Sequence, residues 1–375
     1  ESESESESES ESESESESKD QIPELKHLYH LCKKRTGIVP RSLKTVLDRR
    51  LEYKYRKNNC NSNNNQSNNQ MKLRDRYDNR QTALKWILVT SFGYLGFSNS
   101  KFGRIDAHIA VCAFARDLLL TTSKIAERHG FEIIHGIVDS IWIKEREPQF
   151  KTRIKDMKKM EDSMKRLKDL KSDIERLTNF SISFEGIYKW IVFDFSKSNP
   201  STLPALNRYF GVFHDGTIKM RGIETRRHDT PPLFINFQQE LINIMSGCGN
   251  INEIMVKLPQ LEKIYKKYRN LVISRKVNYT DLIFTKRISK NSNDYANRKT
   301  VENCVLKKLA ERGKHLHAGE QIEYIITDFY SKNFLDRAIP IELINKNDPK
   351  YDKRRYLEIL KNTYDSITRV FYHKI

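Results

Sequence analysis

The sequence lacks long apolar runs, paired cysteines and an apolar leader. No stretch reaches the roughly 18 apolar residues of a membrane span, and the N-terminal residues are polar, so neither a transmembrane helix nor a signal peptide is expected. The five cysteines are odd in number, far apart and without a Cys-x-x-Cys pair: Cys32, Cys60, Cys112, Cys248 and Cys304. This pattern argues against a disulfide scaffold or a structural zinc site. We therefore expect a protein of a reducing compartment, the cytoplasm.

Acidic residues become scarce once the N-terminus is set aside. Residues 1–18 are nine Glu-Ser pairs, which cannot bury a core and are expected to be a disordered tail, a cloning feature or a sequencing artefact. The chain has 67 Lys and Arg against 49 Asp and Glu, a net charge of +18. Without the nine glutamates the balance is 67 − 40 = +27. Such a surplus indicates a polyanionic partner, nucleic acid first and an anionic membrane second.

The remainder has the composition and patterning of a folded α+β protein, with 38% apolar and 10% aromatic residues. Apolar spacing predicts helices over residues 22–32, 41–57, from 73 onward, 106–129 and 151–177. The Asn-rich residues 58–70 are expected to form a loop between two helices of an antiparallel hairpin. Strands are predicted over 131–143 (a paired run with a turn), 182–184, 190–195, 209–213 and 217–220, with a turn at Asp215-Gly216. After Pro231 the chain should be mostly helical and basic.

Three cations could converge across the predicted helical hairpin. Arg50 and Lys54 are four residues apart and share a helical face, and Lys85 lies on the facing helix. Charge and bidentate geometry at such a cluster suit a triphosphate. The alternative is a solvated basic face, which the abundance of Lys and Arg favours on spacing alone.

One carboxylate stands out in the apolar run of residues 131–143. Asp139 is expected at the tip of this hairpin, where a carboxylate is costly unless it pairs with a cation or a metal ion. A turn aspartate that bonds the local backbone is the alternative, and the hairpin alone favours it. A single acid cannot hold two magnesium ions, so a two-metal site needs a second carboxylate from elsewhere.

Several segments, in order along the chain, resemble motifs of the family B DNA polymerases. Residues 81–96 resemble the fingers motif Lys-x-x-x-Asn-Ser-x-Tyr-Gly, and residues 135–140 resemble the palm motif Tyr-Gly-Asp-Thr-Asp-Ser. Residues 37–40 and 47–54 resemble the first fingers helix, residues 208–211, 215–216 and 221–229 the passage from palm to thumb, and Tyr351, Asp352 and Tyr356 the end of the thumb. The match runs from about residue 22 to the C-terminus.

The resemblance implies roles for individual residues. Arg50, Lys54 and Lys85 would hold the triphosphate of the incoming nucleotide, while Phe92 and Gly93 would line the nascent base pair. Asp139 would be a catalytic carboxylate that binds Mg²⁺. The primer–template backbone would be contacted, or its binding surface supported, by Arg208, Tyr209, Arg221 and Arg227.

The sequence also departs from the family pattern. Ile137 and Val138 replace the first Asp and the Thr of the palm motif, and Val89 and Thr90 replace Asn and Ser of the fingers motif. Phe92 stands where the family usually has Tyr. An earlier palm motif, which carries the other essential Asp, is absent. These changes resemble a divergent archaeal-type branch with a degenerate palm motif.

The resemblance therefore implies an α+β right-hand polymerase fragment. Its parts would be the tail over 1–18, helical-hairpin fingers over 19–97, the C-terminal part of an antiparallel β palm over 98–229, and a mostly helical thumb over 230–375. The implied activity is template-directed DNA synthesis with deoxynucleoside triphosphates, Mg²⁺ and primer–template DNA. This chain alone should be inactive, and a separate N-terminal polymerase half is one candidate partner. The main alternative is an inactive paralogue that binds DNA, with an RNA-binding module a distant third.

Overall fold

The computed structural model describes residues 34–60, 68–146, 156–196, 204–291, 294, 299–346 and 348–372. The chain divides into two units, Glu1–Phe184 and Glu185–Ile375. Both contain helices and small antiparallel sheets, so the α+β prediction is confirmed. The tail over 1–18 and the predicted helix over 22–32 lie outside the described residues. In the described part of the chain, no helix is long and apolar enough to cross a membrane.

The first described elements of unit 1 form a helical hairpin, as the sequence predicts. Helix α1 spans Ile38–Asn59 and helix α2 spans Asn68–Leu95. Pro40 lies in the first turn of α1, where its missing N–H leaves no hydrogen bond unmade. None of the described residues of α1 is fully buried, so polar and aromatic contacts hold the hairpin together.

The rest of unit 1 is a helix, a two-stranded sheet and a second helix. Helix α3 spans Ile105–Arg128 and is followed by strands β1 (Phe131–Ile137) and β2 (Ser140–Glu145) and helix α4 (Asp156–Thr178). Gly130 follows α3 with φ +81°, a left-handed conformation that favours glycine after the C-terminus of a helix. Leu170 and Ile174 of α4 are buried in one apolar cluster with Ile125 and Phe131.

One predicted strand is wrong. Residues 182–184 have no regular secondary structure, and Phe184 is exposed. The backbone N–H of Ile182 donates to the side chain of Glu175 at 3.1 Å instead of to a neighbouring strand. A β-rich composition therefore did not produce a strand here, because the backbone of the segment is hydrogen-bonded to a side chain near the end of α4.

Unit 2 opens with a three-stranded antiparallel sheet in the order β3-β4-β5. Its strands are Tyr188–Phe195, Pro204–Phe213 and Ile218–Arg221. Gly216 has φ +86° in the turn between β4 and β5, which confirms the predicted hairpin turn. Helices α5 (Pro232–Ser246), α6 (Ile251–Ile273), α7 (Val301–Ala310) and α8 (Lys353–Tyr372) follow.

A second sheet in unit 2 was not predicted. Strands β6 (Phe284–Arg287), β7 (Gln321–Ile326) and β8 (Ala338–Pro340) form it in that order. The alternation of Ile322 and Tyr324 on one face of β7 was a readable signal, but the helical composition around it masked the short strands. One core joins Phe210 of the first sheet, Ile325 of the second and Phe237 of α5.

Candidate nucleotide and nucleic-acid sites

The helical hairpin sets the positions of the three predicted triphosphate ligands. Tyr53 of α1 and Tyr77 of α2 stack with ring centroids 6.0 Å apart, and Lys57 Nζ lies 2.7 Å from Asp78 Oδ1. In this antiparallel register, residue numbers rise along α1 as they fall along α2. Lys85 therefore lies within one helical turn of the level of Arg50.

The same register separates the two long edges of the hairpin. Arg80 packs over the ring of Tyr53 at 5.5 Å, and this contact marks one edge. Successive side chains along a helix are rotated by about 100° around its axis. The side chain of Lys54 therefore points away from that of Tyr53, and the side chain of Lys85 points away from that of Arg80. Both lysines point toward the other edge. Arg50, Lys54 and Lys85 thus share an edge, as the triphosphate prediction requires; nucleotide binding itself stays a prediction.

Exposure and hydrogen bonding distinguish these three cations. Lys54 and Lys85 are exposed, whereas Arg50 is half-buried. Arg50 Nε is buried and has no hydrogen-bond partner among the described residues. Buried donors are nearly always paired, so the unpaired Nε of Arg50 is an unusual feature of the hairpin.

The C-terminal end of α2 carries Phe92 and Gly93, the residues predicted to line the base pair. The Phe92 ring stacks on His108 of α3, with centroids 4.2 Å apart and planes at 23°. The His108 ring nitrogen Nδ1 lies 3.2 Å from the Phe92 carbonyl oxygen. A side chain at Gly93 would meet nothing within 4 Å. The surface at Gly93 is therefore open, while one face of Phe92 is covered.

Asp139 lies in the two-residue turn between β1 and β2, where Ile137 pairs with Ser140. It is exposed, and the Ser140 hydroxyl donates to its Oδ1 at 3.3 Å. The preceding Val138 has φ +52°, a strained conformation for a β-branched residue. Backbone strain of this kind often accompanies functional residues.

The resemblance to family B DNA polymerases implies Mg²⁺, and the oxygens of Asp139 fit one ligand position of that ion. Magnesium is commonly bound through one or two carboxylates together with substrate phosphates. In the part of the chain that the structure describes, no group of three or more His, Cys, Asp or Glu side chains could hold a metal ion. Asp139 can therefore supply one ligand, and the others must come from substrate or another segment.

The β3-β4-β5 sheet positions the four predicted DNA-contact residues differently. Tyr209 is 1% exposed, so it can support a surface but cannot reach a phosphate. Arg221 at the end of β5 is exposed. Arg227 donates to both carboxylate oxygens of Asp229 at 3.0 and 2.9 Å, and this pairing lowers the pKa of Asp229 below its usual range.

Arg208, the fourth of these residues, belongs to a buried ionic network. Its Nε lies 3.0 Å from Asp194 Oδ2 and its Nη2 3.3 Å from Glu224 Oε1. Asp194 is 1% exposed and also binds Arg369 of α8 at 2.6 Å. Two acids therefore hold the Arg208 guanidinium, which leaves less of it for a DNA phosphate.

Sequence reasoning missed Asp194 and Arg369. Asp194 follows the buried Trp190 and Val192 at two-residue spacing along β3, so an acid at a core-facing position was a readable signal. The network continues from Glu224 to Gln238 of α5 at 2.7 Å and to Ser366 of α8 at 3.0 Å. It therefore links the first sheet to two helices of unit 2.

Comparisons with known proteins agree with these motifs. The family model "DNA polymerase family B" matches residues 2–373. DNA polymerase 2 of Saccharolobus solfataricus is 27% identical over 247 residues, which cover 66% of this chain and 32% of the relative. The DNA polymerase of Archaeoglobus fulgidus is 25% identical over 338 residues, covering 88% of this chain and 37% of the relative.

The fold is also similar to a solved structure. The family B DNA polymerase from the hyperthermophilic archaeon Pyrobaculum calidifontis aligns with a TM-score of 0.54 and 23% identity. The alignment covers 92% of this chain and 39% of that structure. The chain thus spans about a third of the length of the relatives it matches. The match to the family model over almost all of its residues shows that this chain belongs to DNA polymerase family B.

Proposed function

We propose that this chain contributes the fingers, the C-terminal part of the palm and the thumb of a DNA-directed DNA polymerase. In this assignment residues 19–97 form the fingers, 98–229 the palm part and 230–375 the thumb. The hairpin edge with Arg50, Lys54 and Lys85 carries the proposal. Family membership supports it, because the edge lies in the segment that resembles the fingers motifs.

The residues of the hairpin would have different roles according to their positions. Lys54 and Lys85, exposed on one edge, would neutralise the triphosphate, and the half-buried Arg50 would add the charge of its guanidinium group. The open surface at Gly93 would leave room for the base pair, with Phe92 held in place by His108. Charge-assisted contacts of this kind contribute about 1.5–3 kcal/mol each.

Asp139 would be one of the residues that hold the Mg²⁺ ion. When Mg²⁺ is bound, it supplies activation of the primer 3′-hydroxyl and neutralisation of the pyrophosphate charge. Asp139 itself would offer a carboxylate oxygen from an exposed turn. Metal binding would break no ion pair among the described residues, because the hydrogen bond to its side chain comes from the Ser140 hydroxyl. A second carboxylate must be supplied by the remaining part of the polymerase.

The proposal is tested by primer extension with the chain mixed with a polypeptide that carries the missing palm Asp. The chain alone should not extend a primer, whereas the mixture should. Asp139→Asn should abolish synthesis in the mixture, and Ile137→Asp should be tolerated or raise activity. Synthesis that survives Asp139→Asn would exclude Asp139 as the metal ligand.

A non-catalytic paralogue that binds DNA is the second candidate. Ile137 favours it, because an apolar side chain stands where the family has a palm Asp. A mixture that binds DNA and nucleotide but never extends a primer, even with Ile137→Asp, would support this alternative.

A further inference from the structure

The imidazole of His108 on α3 contacts both the backbone and a side chain near the end of α2. Its ring stacks on that of Phe92 with centroids 4.2 Å apart and planes at 23°, and its Nδ1 lies 3.2 Å from the Phe92 carbonyl oxygen. A Cβ atom at Gly96 would lie 3.2 Å from the Cγ and Nδ1 atoms of the same imidazole. The absence of a side chain at Gly96 therefore makes room for the His108 ring.

The carbonyl oxygen of Phe92 belongs to the last turn of α2, where carbonyl groups lack a regular partner within the helix. The backbone N–H of Gly96, four residues further along, donates to the carbonyl oxygen of Gly93 at 3.1 Å. A carbonyl oxygen can only accept a hydrogen bond, so the contact with His108 requires a proton on Nδ1. A side chain of α3 thus caps the end of α2 and holds both the backbone and the ring of Phe92.

The ring of Phe92 carries no polar atom, so packing alone sets its orientation. The side chain is 39% exposed, and His108 covers one face of its ring. A ligand that meets a side chain already fixed in place avoids the cost of ordering it, which is a factor of about 2 to 12 in affinity for one side chain. The stack with His108 therefore pre-organises Phe92 for a ligand that contacts the exposed part of its ring.

We propose that His108 is a positioning residue that fixes Phe92 for contact with the base and sugar of the incoming nucleotide. This inference rests on the proposed function, in which Phe92 lines the base pair and the hairpin edge holds the triphosphate. Different residues then act on the two parts of the ligand. The cations of the hairpin contact the phosphates, whereas His108 acts through Phe92 on the nucleoside part alone.

The test compares two ligands, deoxyadenosine triphosphate (dATP) and inorganic tripolyphosphate, in calorimetric titrations of the full chain with Mg²⁺. His108→Ala should weaken dATP binding roughly 2- to 12-fold and leave tripolyphosphate binding unchanged, because only dATP carries a base and a sugar. Lys85→Ala should weaken the binding of both ligands. A His108→Ala variant that binds dATP as the parent does would overturn the proposal. An equal loss of both ligands would also overturn it, since a merely structural role affects both.

Two further variants at the same position separate the ring from the hydrogen bond. His108→Phe keeps a ring that can stack on Phe92 and should retain roughly half or more of the dATP affinity. His108→Asn keeps an amide N–H for the Phe92 carbonyl oxygen but has no ring, and it should bind dATP as weakly as His108→Ala. The reverse order would assign the effect to the cap of α2 and would overturn the positioning of the Phe92 ring.

Gly96→Ala perturbs the stack without changing either ring. Its Cβ would press on the imidazole at 3.2 Å, so dATP binding should weaken while tripolyphosphate binding stays the same. In the His108→Ala background the same substitution should have no further effect, because the ring that it displaces is gone. Additive losses of dATP affinity would contradict the proposal. Phe114→Ala removes another exposed ring of α3 and, as the matched control, should change the affinity for neither ligand.

The two ligands also distinguish this inference from the proposed function. A parent chain that binds neither dATP nor tripolyphosphate would contradict the triphosphate edge, and this inference with it. A parent that binds both, with losses in Lys85→Ala but none in His108→Ala, would leave the triphosphate edge standing and overturn this inference alone.

Discussion

The two units of the chain bury apolar side chains to very different extents. Among the described residues, unit 2 has one core of 33 buried side chains, whereas the unit 1 core has five. Unit 1 instead exposes large apolar side chains along α2, α3 and β1, such as Trp86, Phe114 and Ile134. Because buried apolar area is the main stabilising contribution to folding, unit 2 should be the more stable unit. The residues assigned to nucleotide and metal therefore lie in the unit with the smaller core.

The strongest test of this contrast truncates the same residue type in each unit. Phe237→Ala removes a ring that is 0% exposed in the unit 2 core and should cost about 3–5 kcal/mol of unfolding free energy. Phe114→Ala in unit 1 removes a ring that is 36% exposed and should cost much less. Chemical denaturation of the two variants provides the comparison. Similar costs would contradict the difference in cores.

The second test compares two ion pairs. Asp194→Ala leaves Arg208 and Arg369 without their shared buried carboxylate and should cost about 3 kcal/mol. Glu145→Ala breaks the more exposed pair with Arg166 in unit 1 and should cost no more than about 1 kcal/mol. Denaturation midpoints at low and high salt separate the two cases, because salt screens the exposed pair more. An Asp194→Ala variant as stable as the parent would show that the buried ionic network does not stabilise unit 2.

Alkaline pH should act on unit 2. Burial raises the pKa of Tyr268 to about 12, and burial likewise raises the pKa values of Tyr324, Tyr356 and Tyr364. A raised tyrosine pKa contributes stability that is complete below the unfolded value near 10 and is lost as the pH rises through the folded value. Unit 2 should thus lose stability from about pH 10 to 12.

Absorbance at 295 nm checks this expectation. The buried tyrosines should ionise late and together with loss of helical circular dichroism. Ionisation of every tyrosine near pH 10 while the helices persist would argue against the buried cluster.

The smallest expected effect concerns the turn that holds Asp139. Val138→Gly removes the strain of a β-branched residue at φ +52°, but it also increases the conformational entropy of the unfolded chain. The free energy of unfolding of unit 1 should rise by roughly 0.5–1 kcal/mol, and that of unit 2 should not change. Thermal unfolding of the variant measures it, with Gly216→Ala in unit 2, at φ +86°, as the destabilising counterpart. A destabilised Val138→Gly variant would mean that the turn is not strained.

The same contrast explains which features the sequence could predict. The hairpin of α1 and α2, the β1–β2 pair and the Asp215-Gly216 turn follow local rules of periodicity and turn chemistry, and the structure confirms them. The β6-β7-β8 sheet pairs short strands that are distant in sequence, so the alternation of Ile322 and Tyr324 along β7 could not show which strands pair. The false strand at 182–184 had the right composition but no partner strand.

The candidate site shows the same limit. Helical spacing predicted that Arg50 and Lys54 share a face and that Lys85 lies on the facing helix, but the level of Lys85 along the hairpin depends on the contacts between the two helices. The sequence could not show that Asp194 and Glu224 hold Arg208, since Asp194 and Arg369 are 175 residues apart and meet only through the packing of α8 on β3. The resemblance to a motif implied that Arg208 contacts the primer–template backbone or supports that surface, whereas its buried ion pairs depend on the tertiary fold.

The most direct test of the central claim, that one edge of the hairpin binds a triphosphate, is calorimetric titration of the full chain with a deoxynucleoside triphosphate and Mg²⁺. The parent should bind at one site. Lys85→Ala should weaken that binding by about 1.5–3 kcal/mol, roughly a factor of 10 to 150, and Lys165→Ala on α4 should not change it. An affinity that is the same in the parent and in Lys85→Ala would contradict the account.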